Sequence, residues 1–98
     1  GFAHYTAAKA AIISFTRSLS LEIGDKNIRA NCVAPGATET RMLANVPEEI
    51  LDGIRQSIPK GNIASIDEIT PAYLFLASAS GNHFVGQCIS PNGGDLFL

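Results

Sequence analysis

The sequence lacks a basic excess: 7 Lys and Arg stand against 9 Asp and Glu in 98 residues, a formal net charge of −2. A phosphate backbone is gripped by a positive face, so this balance argues against nucleic acid as a partner. Long apolar runs are also missing. None approaches the roughly 20 residues that a membrane-spanning helix needs, which argues against a membrane protein. No basic-then-apolar leader opens the chain. Cysteine is scarce. Cys32 and Cys88 have no second Cys or His at metal-ligand spacing, so no metal is expected. They read as small buried thiols of a reducing cytoplasm, with a Cys32–Cys88 disulfide as the alternative. An initial Met is absent too. The chain opens Gly1-Phe2-Ala3-His4-Tyr5 and at once resembles the middle of an element, so a fragment is expected.

What is present is ordinary globular material, 46% hydrophobic. The length allows one small domain, which alone would bury only about 60–65% of its unfolded surface. Tyr5 to Ile23 predicts a helix, rich in good helix formers. Ala8, Ile12, Phe15, Leu19 and Ile23 form an apolar stripe at helical spacing. Gly24 is expected to end it. Ile28 to Ala34 predicts a strand that stops at Pro35-Gly36. Pro47-Glu48-Glu49 suits a helix N-terminus. Ile50, Leu51, Ile54 and Ile58 continue that helix to Pro59. Gly53 inside it suggests a mobile, lid-like element. Ser65-Ile66-Asp67-Glu68 fits a capping box before a helix burying Ile69, Ala72, Tyr73 and Leu76. Pro71 conflicts with that start. Either the helix begins later, capped by Thr70, or it begins bent. Val85 to Ser90 predicts a second strand, followed by Pro91-Asn92-Gly93-Gly94 and an apolar tail, Leu96-Phe97-Leu98. Short strands joined by helices give the parallel α/β pattern, which needs more strands than these two.

Three groups of residues could carry chemistry. Tyr5 and Lys9 stand one helical turn apart on one face. An ammonium about 4 Å from a phenol stabilises the phenolate by about 4 kcal/mol at an effective dielectric of about 20. That is about three pKa units, enough to make a tyrosine a general acid or base near neutral pH. Pro35-Gly36 follows a strand, where ligands of parallel sheets collect, with Thr38 and Thr40 close behind. Asn92-Gly93-Gly94-Asp95 reads as a tight turn needing positive φ.

Tyr5-Thr-Ala-Ala-Lys9, Ile28-Arg-Ala-Asn-Cys-Val-Ala-Pro-Gly36, Thr40, Ile58-Pro59, Glu68, Leu76-Ala-Ser78, Gly86-Gln87 and Gly93-Gly94 occur in one order and spacing. As an ordered set they resemble the C-terminal part of the classical short-chain dehydrogenase/reductase family, 3-oxoacyl reductases included. The resemblance spans essentially the whole chain. It implies an α/β fold, the C-terminal part of a Rossmann-type doubly wound parallel sheet. Residues 1–98 would be about two-fifths of one domain, without its dinucleotide-binding half. The implied activity is hydride transfer between NAD or NADP and a small-molecule carbonyl or secondary alcohol. Tyr5 would be the catalytic acid/base. Lys9 would lower its pKa and bond the nicotinamide ribose. Pro35 and Gly36 would line the nicotinamide pocket, Thr38 would contact the carboxamide through its backbone, and Thr40 would contact the cofactor. Arg41 to Pro59 would be the substrate lid. A cytoplasmic homo-dimer or homo-tetramer, joined through the Tyr5 helix, is implied as well.

The sequence departs from the family pattern at Ala8, at Asn62 after Gly61, at Pro91-Asn92, and at Pro71. The family's Gly-rich phosphate loop and catalytic serine have no counterpart here, so this chain alone is not expected to bind a dinucleotide. The rival reading is a non-catalytic assembly or binding module that keeps the fold. The native mass separates the two, because a native mass near that of the 98 residues would favour the module.

Overall fold

Helix-forming residues dominate the first segment, and the chain is helical over Ala3–Ile23 (α1). The computed structural model describes residues 1–96, so the expected apolar tail beyond Leu96 lies outside the described residues. Two compact units make up the chain. One is Gly1–Cys32 with Phe75–Ile89; the other is Val33–Leu74 with Ser90–Leu98.

In the first unit the end of α1 differs from expectation. Gly24 keeps right-handed helical angles (φ −60°), and the chain tightens through a 3-10 turn at Gly24–Lys26. The left-handed residue that reverses it is Asn27, at φ 55°. Asparagine tolerates this region because its short amide bonds locally. The expected apolar stripe of α1 is not buried either: Ile12 is 51% and Phe15 66% exposed. The buried positions of α1 are Thr16 and Ser20. Their hydroxyls are satisfied by backbone. Thr16 donates to the Ile12 carbonyl at 2.8 Å, and Ser20 to Thr16 at 2.8 Å and Ala30 at 2.9 Å. Small residues win this face because backbone comes close. A Cβ on Gly86, which has φ +67°, would stand 3.3 Å from the Ser20 Cβ.

Two short strands, Cys32–Val33 (β1) and Cys88–Ile89 (β2), pair with each other. Gly86 N–H donates to Ala30, Cys32 N–H to Gln87, and, in the second unit, Gly36 N–H to Pro91. Partners advance together along both segments, so the pairing is parallel, as the sequence implied. Both strands are shorter than the expected Ile28–Ala34 and Val85–Ser90. Asn31 explains part of this. Its side chain, not a ladder bond, donates to Phe84 (2.8 Å) and accepts from Gln87 N–H (2.9 Å). Arg29 is a second cross-brace. Its guanidinium donates to the carbonyls of Leu76 and Gly81 at 2.7 Å, closing the C-terminal end of the third helix.

The second unit holds the buried apolar side chains of the described residues: Ile58, Ile63 and Ile69. Glu48–Ser57 (α2) begins after Pro47, with both acids in its first turn. Arg55 bonds Glu48 at 2.6 Å and Asp52 at 2.7 Å. Those carboxylates, Glu48 first, hold the guanidinium pKa above its usual value. Gly53 is exposed, and a Cβ there would meet nothing within 4 Å. Gly53→Ala in the full-length protein is therefore expected to stabilise it by about 0.5–1 kcal/mol, read as an increase in Tm.

Ile66–Ala77 (α3) continues through Pro71, and neither a Thr70-capped start nor any later one is adopted. The lost hydrogen bond would have gone to the Asp67 carbonyl, in the exposed first turn, where water can replace it. Half of the capping box forms: Glu68 accepts from Ser65 N–H at 2.9 Å. Lys60 adds an ion pair to the same carboxylate at 2.5 Å. The Lys60 bond first, then the Ser65 N–H, hold Glu68 below the usual carboxylate range. A carboxyl depressed on folding stabilises fully above the unfolded value of 4.5 and loses that contribution as pH falls through its folded value. Glu68→Gln is expected to lower Tm at neutral pH and to flatten the fall in Tm on acidification below pH 4.5, measured by thermal melts across pH.

Candidate functional site

The candidate residues fall into two groups, one in each unit. In the first, helical spacing puts Tyr5 and Lys9 on one face of α1, as the sequence predicted. Tyr5 is 55% exposed, so its phenol is open to a reacting partner. The Lys9 ammonium lies over the Tyr5 ring, 5.5 Å from its centroid. The expectation was an ammonium at the phenol oxygen; the contact is instead with the ring face, a cation–π geometry. Phe2 packs edge-on against the other residue of the pair, Tyr5, with centroids 6.5 Å apart.

In the second unit, Pro35, Gly36, Thr38 and Thr40 all line one cavity of about 480 Å³. Glycine is required at 36 for space. A Cβ there would lie 2.8 Å from the Asn92 Cα and 2.9 Å from its Cβ. Gly36 N–H also donates to Pro91 at 3.2 Å. Thr38 turns its hydroxyl onto the Gly36 carbonyl at 2.9 Å, which shapes the turn. The Ala37 to Glu39 stretch is held by a parallel bridge between Thr38 and Ala64. Asn92 is fixed in turn. Its Oδ1 accepts from Gly94 N–H at 2.9 Å, the tight turn expected there. Gly93 and Gly94 both have positive φ, and Cβ atoms on them would press on Ile58 and Pro59.

Sequence reasoning missed much of this cavity's wall. Met42, Leu43, Ile66, Ile69, Thr70 and Tyr73 also line it. The last four recur at i, i+3, i+4 and i+7, a single helical face. That stripe was the available signal; Ile69 and Tyr73 had been assigned to a buried core, and Tyr73 is 51% exposed. Most of the wall is apolar, and its polar side chains are Thr38, Thr40, Thr70 and Tyr73. Among the described residues no group of three or more His, Cys, Asp or Glu could hold a metal, and no helix is long and apolar enough to cross a membrane.

A parallel strand pair flanked by helices, with a glycine turn at the strand's carboxyl end, defines part of a Rossmann-type α/β fold. Comparison with known proteins narrows this. A family profile described as enoyl-(acyl carrier protein) reductase matches residues 1–95. The chain is 42% identical over 94 residues to the 3-oxoacyl-[acyl-carrier-protein] reductase FabG of Chlamydia muridarum, covering 96% of this chain and 38% of that protein. It is 40% identical over 94 residues to an acetoacetyl-CoA reductase of Acinetobacter, with the same coverage, 96% and 38%. The solved structure of a short-chain dehydrogenase/reductase from Brucella melitensis, titled glucose/ribitol dehydrogenase, superposes with a TM-score of 0.90 at 34% identity, over 99% of this chain and 39% of that one. The chain belongs to the short-chain dehydrogenase/reductase family and resembles its 3-oxoacyl reductases. It spans about two-fifths of the length of the curated relatives it matches.

Proposed function

We propose that this chain is the catalytic and substrate-facing, C-terminal part of a single oxidoreductase domain that uses NAD or NADP to interconvert a small-molecule carbonyl and its secondary alcohol. The observation that carries the reading is the Tyr5–Lys9 pair, one turn apart on α1 with the phenol exposed. The reductase names of the relatives support it, and they make 3-oxoacyl thioesters the first substrates to test.

Tyr5 Oη gives its proton to the carbonyl oxygen during reduction and takes it back during alcohol oxidation. Lys9 places a positive charge beside the ring and favours the tyrosinate that remains. The nicotinamide, when bound, supplies the hydride chemistry. Residues for its nicotinamide end fit the cavity. Pro35 and Gly36 line it, with Thr38 and Thr40 beside them. The sequence has no counterpart of the Gly-rich loop that would hold its phosphates. Arg41 to Pro59 would act as the lid over substrate. The exposed Phe2, Ile12 and Phe15 on α1 suit burial in a homo-dimer or homo-tetramer, and the thiols of Cys32 and Cys88 suit a cytoplasmic enzyme.

The test is an assay of the full-length protein with acetoacetyl-CoA and NADPH or NADH, following loss of the reduced nicotinamide. Substrate-dependent oxidation is the expected result. Its absence with every 3-oxoacyl thioester and simple ketone offered would overturn the reading.

A further inference from the structure

Cys32 and Cys88 play no part in the proposed chemistry, yet the fold sets them against each other. Each opens its strand, Cys32 in β1 and Cys88 in β2. Cys32 N–H donates to the carbonyl of Gln87, the residue just before Cys88. In a parallel ladder that bond puts residues 32 and 88 directly opposite, with both side chains on the same face. The Cα atoms of such a pair stand about 4.8 Å apart, inside the roughly 4.4–6.8 Å range that disulfides occupy. Both thiols are free and half-buried.

We propose that Cys32 and Cys88 form a dithiol site that closes to an intrachain disulfide under oxidised glutathione or a similar small disulfide. One protein thiolate attacks a sulfur of the oxidant, forming a mixed disulfide and releasing one glutathione thiolate. The second cysteine, once deprotonated, attacks the protein sulfur of that mixed disulfide and releases the other. Two electrons pass from the cysteine pair to the oxidant, and the two thiol protons balance the two glutathione thiolates. Burial, then the neighbouring Cys32, raises the Cys88 thiol above its usual pKa, while Arg17 acts in the opposite sense. Little of the Cys88 thiol is thiolate at neutral pH, so the pair reacts slowly and the oxidant is supplied in excess. Closure would clamp β1 to β2 just before the Pro35–Gly36 turn. The site stands independently of the proposed oxidoreductase activity.

The experiment treats the native, full-length protein with excess oxidised glutathione, blocks remaining thiols with N-ethylmaleimide, and maps peptides by mass spectrometry. The expected product is a Cys32 peptide joined to a Cys88 peptide, lighter by two hydrogens than the reduced pair and restored by dithiothreitol. Cys88→Ser is expected to leave Cys32 carrying glutathione or maleimide, with no cross-link. Should Cys88→Ser fail to fold, Cys32→Ala with readout at Cys88 serves the same purpose. Alkylation of both cysteines in the oxidised wild-type protein, or glutathione adducts with no linked peptide, would overturn the proposal.

Discussion

Full-length enzyme carrying Tyr5→Phe is expected to lose about 10²–10⁴-fold in kcat, the usual contribution of a positioned general acid or base. The ring and its packing remain, because Phe2 and Lys9 both contact the ring. Only the hydroxyl group is removed. Cofactor affinity, measured by fluorescence titration of the reduced nicotinamide, is therefore expected to change little. Such a loss, confined to turnover, separates a proton-transfer role from a structural one. A variant that keeps wild-type turnover would remove Tyr5 from the mechanism. One that loses turnover together with its Tm would make Tyr5 a packing residue of α1.

The second large effect is expected at Gly36. Gly36→Ala puts a methyl 2.8 Å from the Asn92 Cα and 2.9 Å from its Cβ. Backbone, unlike the end of a flexible side chain, cannot swing away. Asn92 is itself tied down by Gly94 N–H and by the Ser90 hydroxyl. The turn must then separate from residues 91–92, breaking the Gly36 N–H bond to Pro91. Overpacking of this kind costs about 3 kcal/mol. For the larger single domain proposed above, of about 150–250 residues, that is a drop in Tm of roughly 6–12 °C. Gly24→Ala is the matched control. Its Cβ would meet nothing within 4 Å, and its φ is already helical, so it is expected to be neutral or slightly stabilising. A Gly36→Ala variant that melts no lower than Gly24→Ala would show that the contact with Asn92 carries no cost.

The two variants sit at opposite ends of what could be read in advance. Tyr5 and Lys9 were legible because a helix repeats every 3.6 residues, so a four-residue spacing already fixes a shared face. The same local logic placed α2 behind Pro47, and it predicted the positive-φ turn at Gly93-Gly94. It failed where distant segments compete. Periodicity marked an apolar stripe through Ile12 and Phe15 but not what α1 buries, which is Thr16 and Ser20, against the close backbone at Ala30 and Gly86. Pro71 argued for a broken start to α3. The helix tolerates it because the only carbonyl deprived is near its exposed end.

By itself the sequence determined the order of helices and strands, the parallel α/β class, the family, and the Tyr5–Lys9 pairing. The order, the class and the pairing follow from spacing along the chain; the family follows from resemblance to known sequences. Tertiary structure alone decided why Gly36 must be glycine, that Arg29 and Asn31 brace other segments, that one face of α3 lines the cavity with Pro35–Thr40, and that Cys32 faces Cys88. Those facts depend on which residues meet across roughly 25 to 60 positions of chain, and on how closely backbones approach there. Neither is encoded in any local pattern; both are set by the strand register and packing of the folded chain.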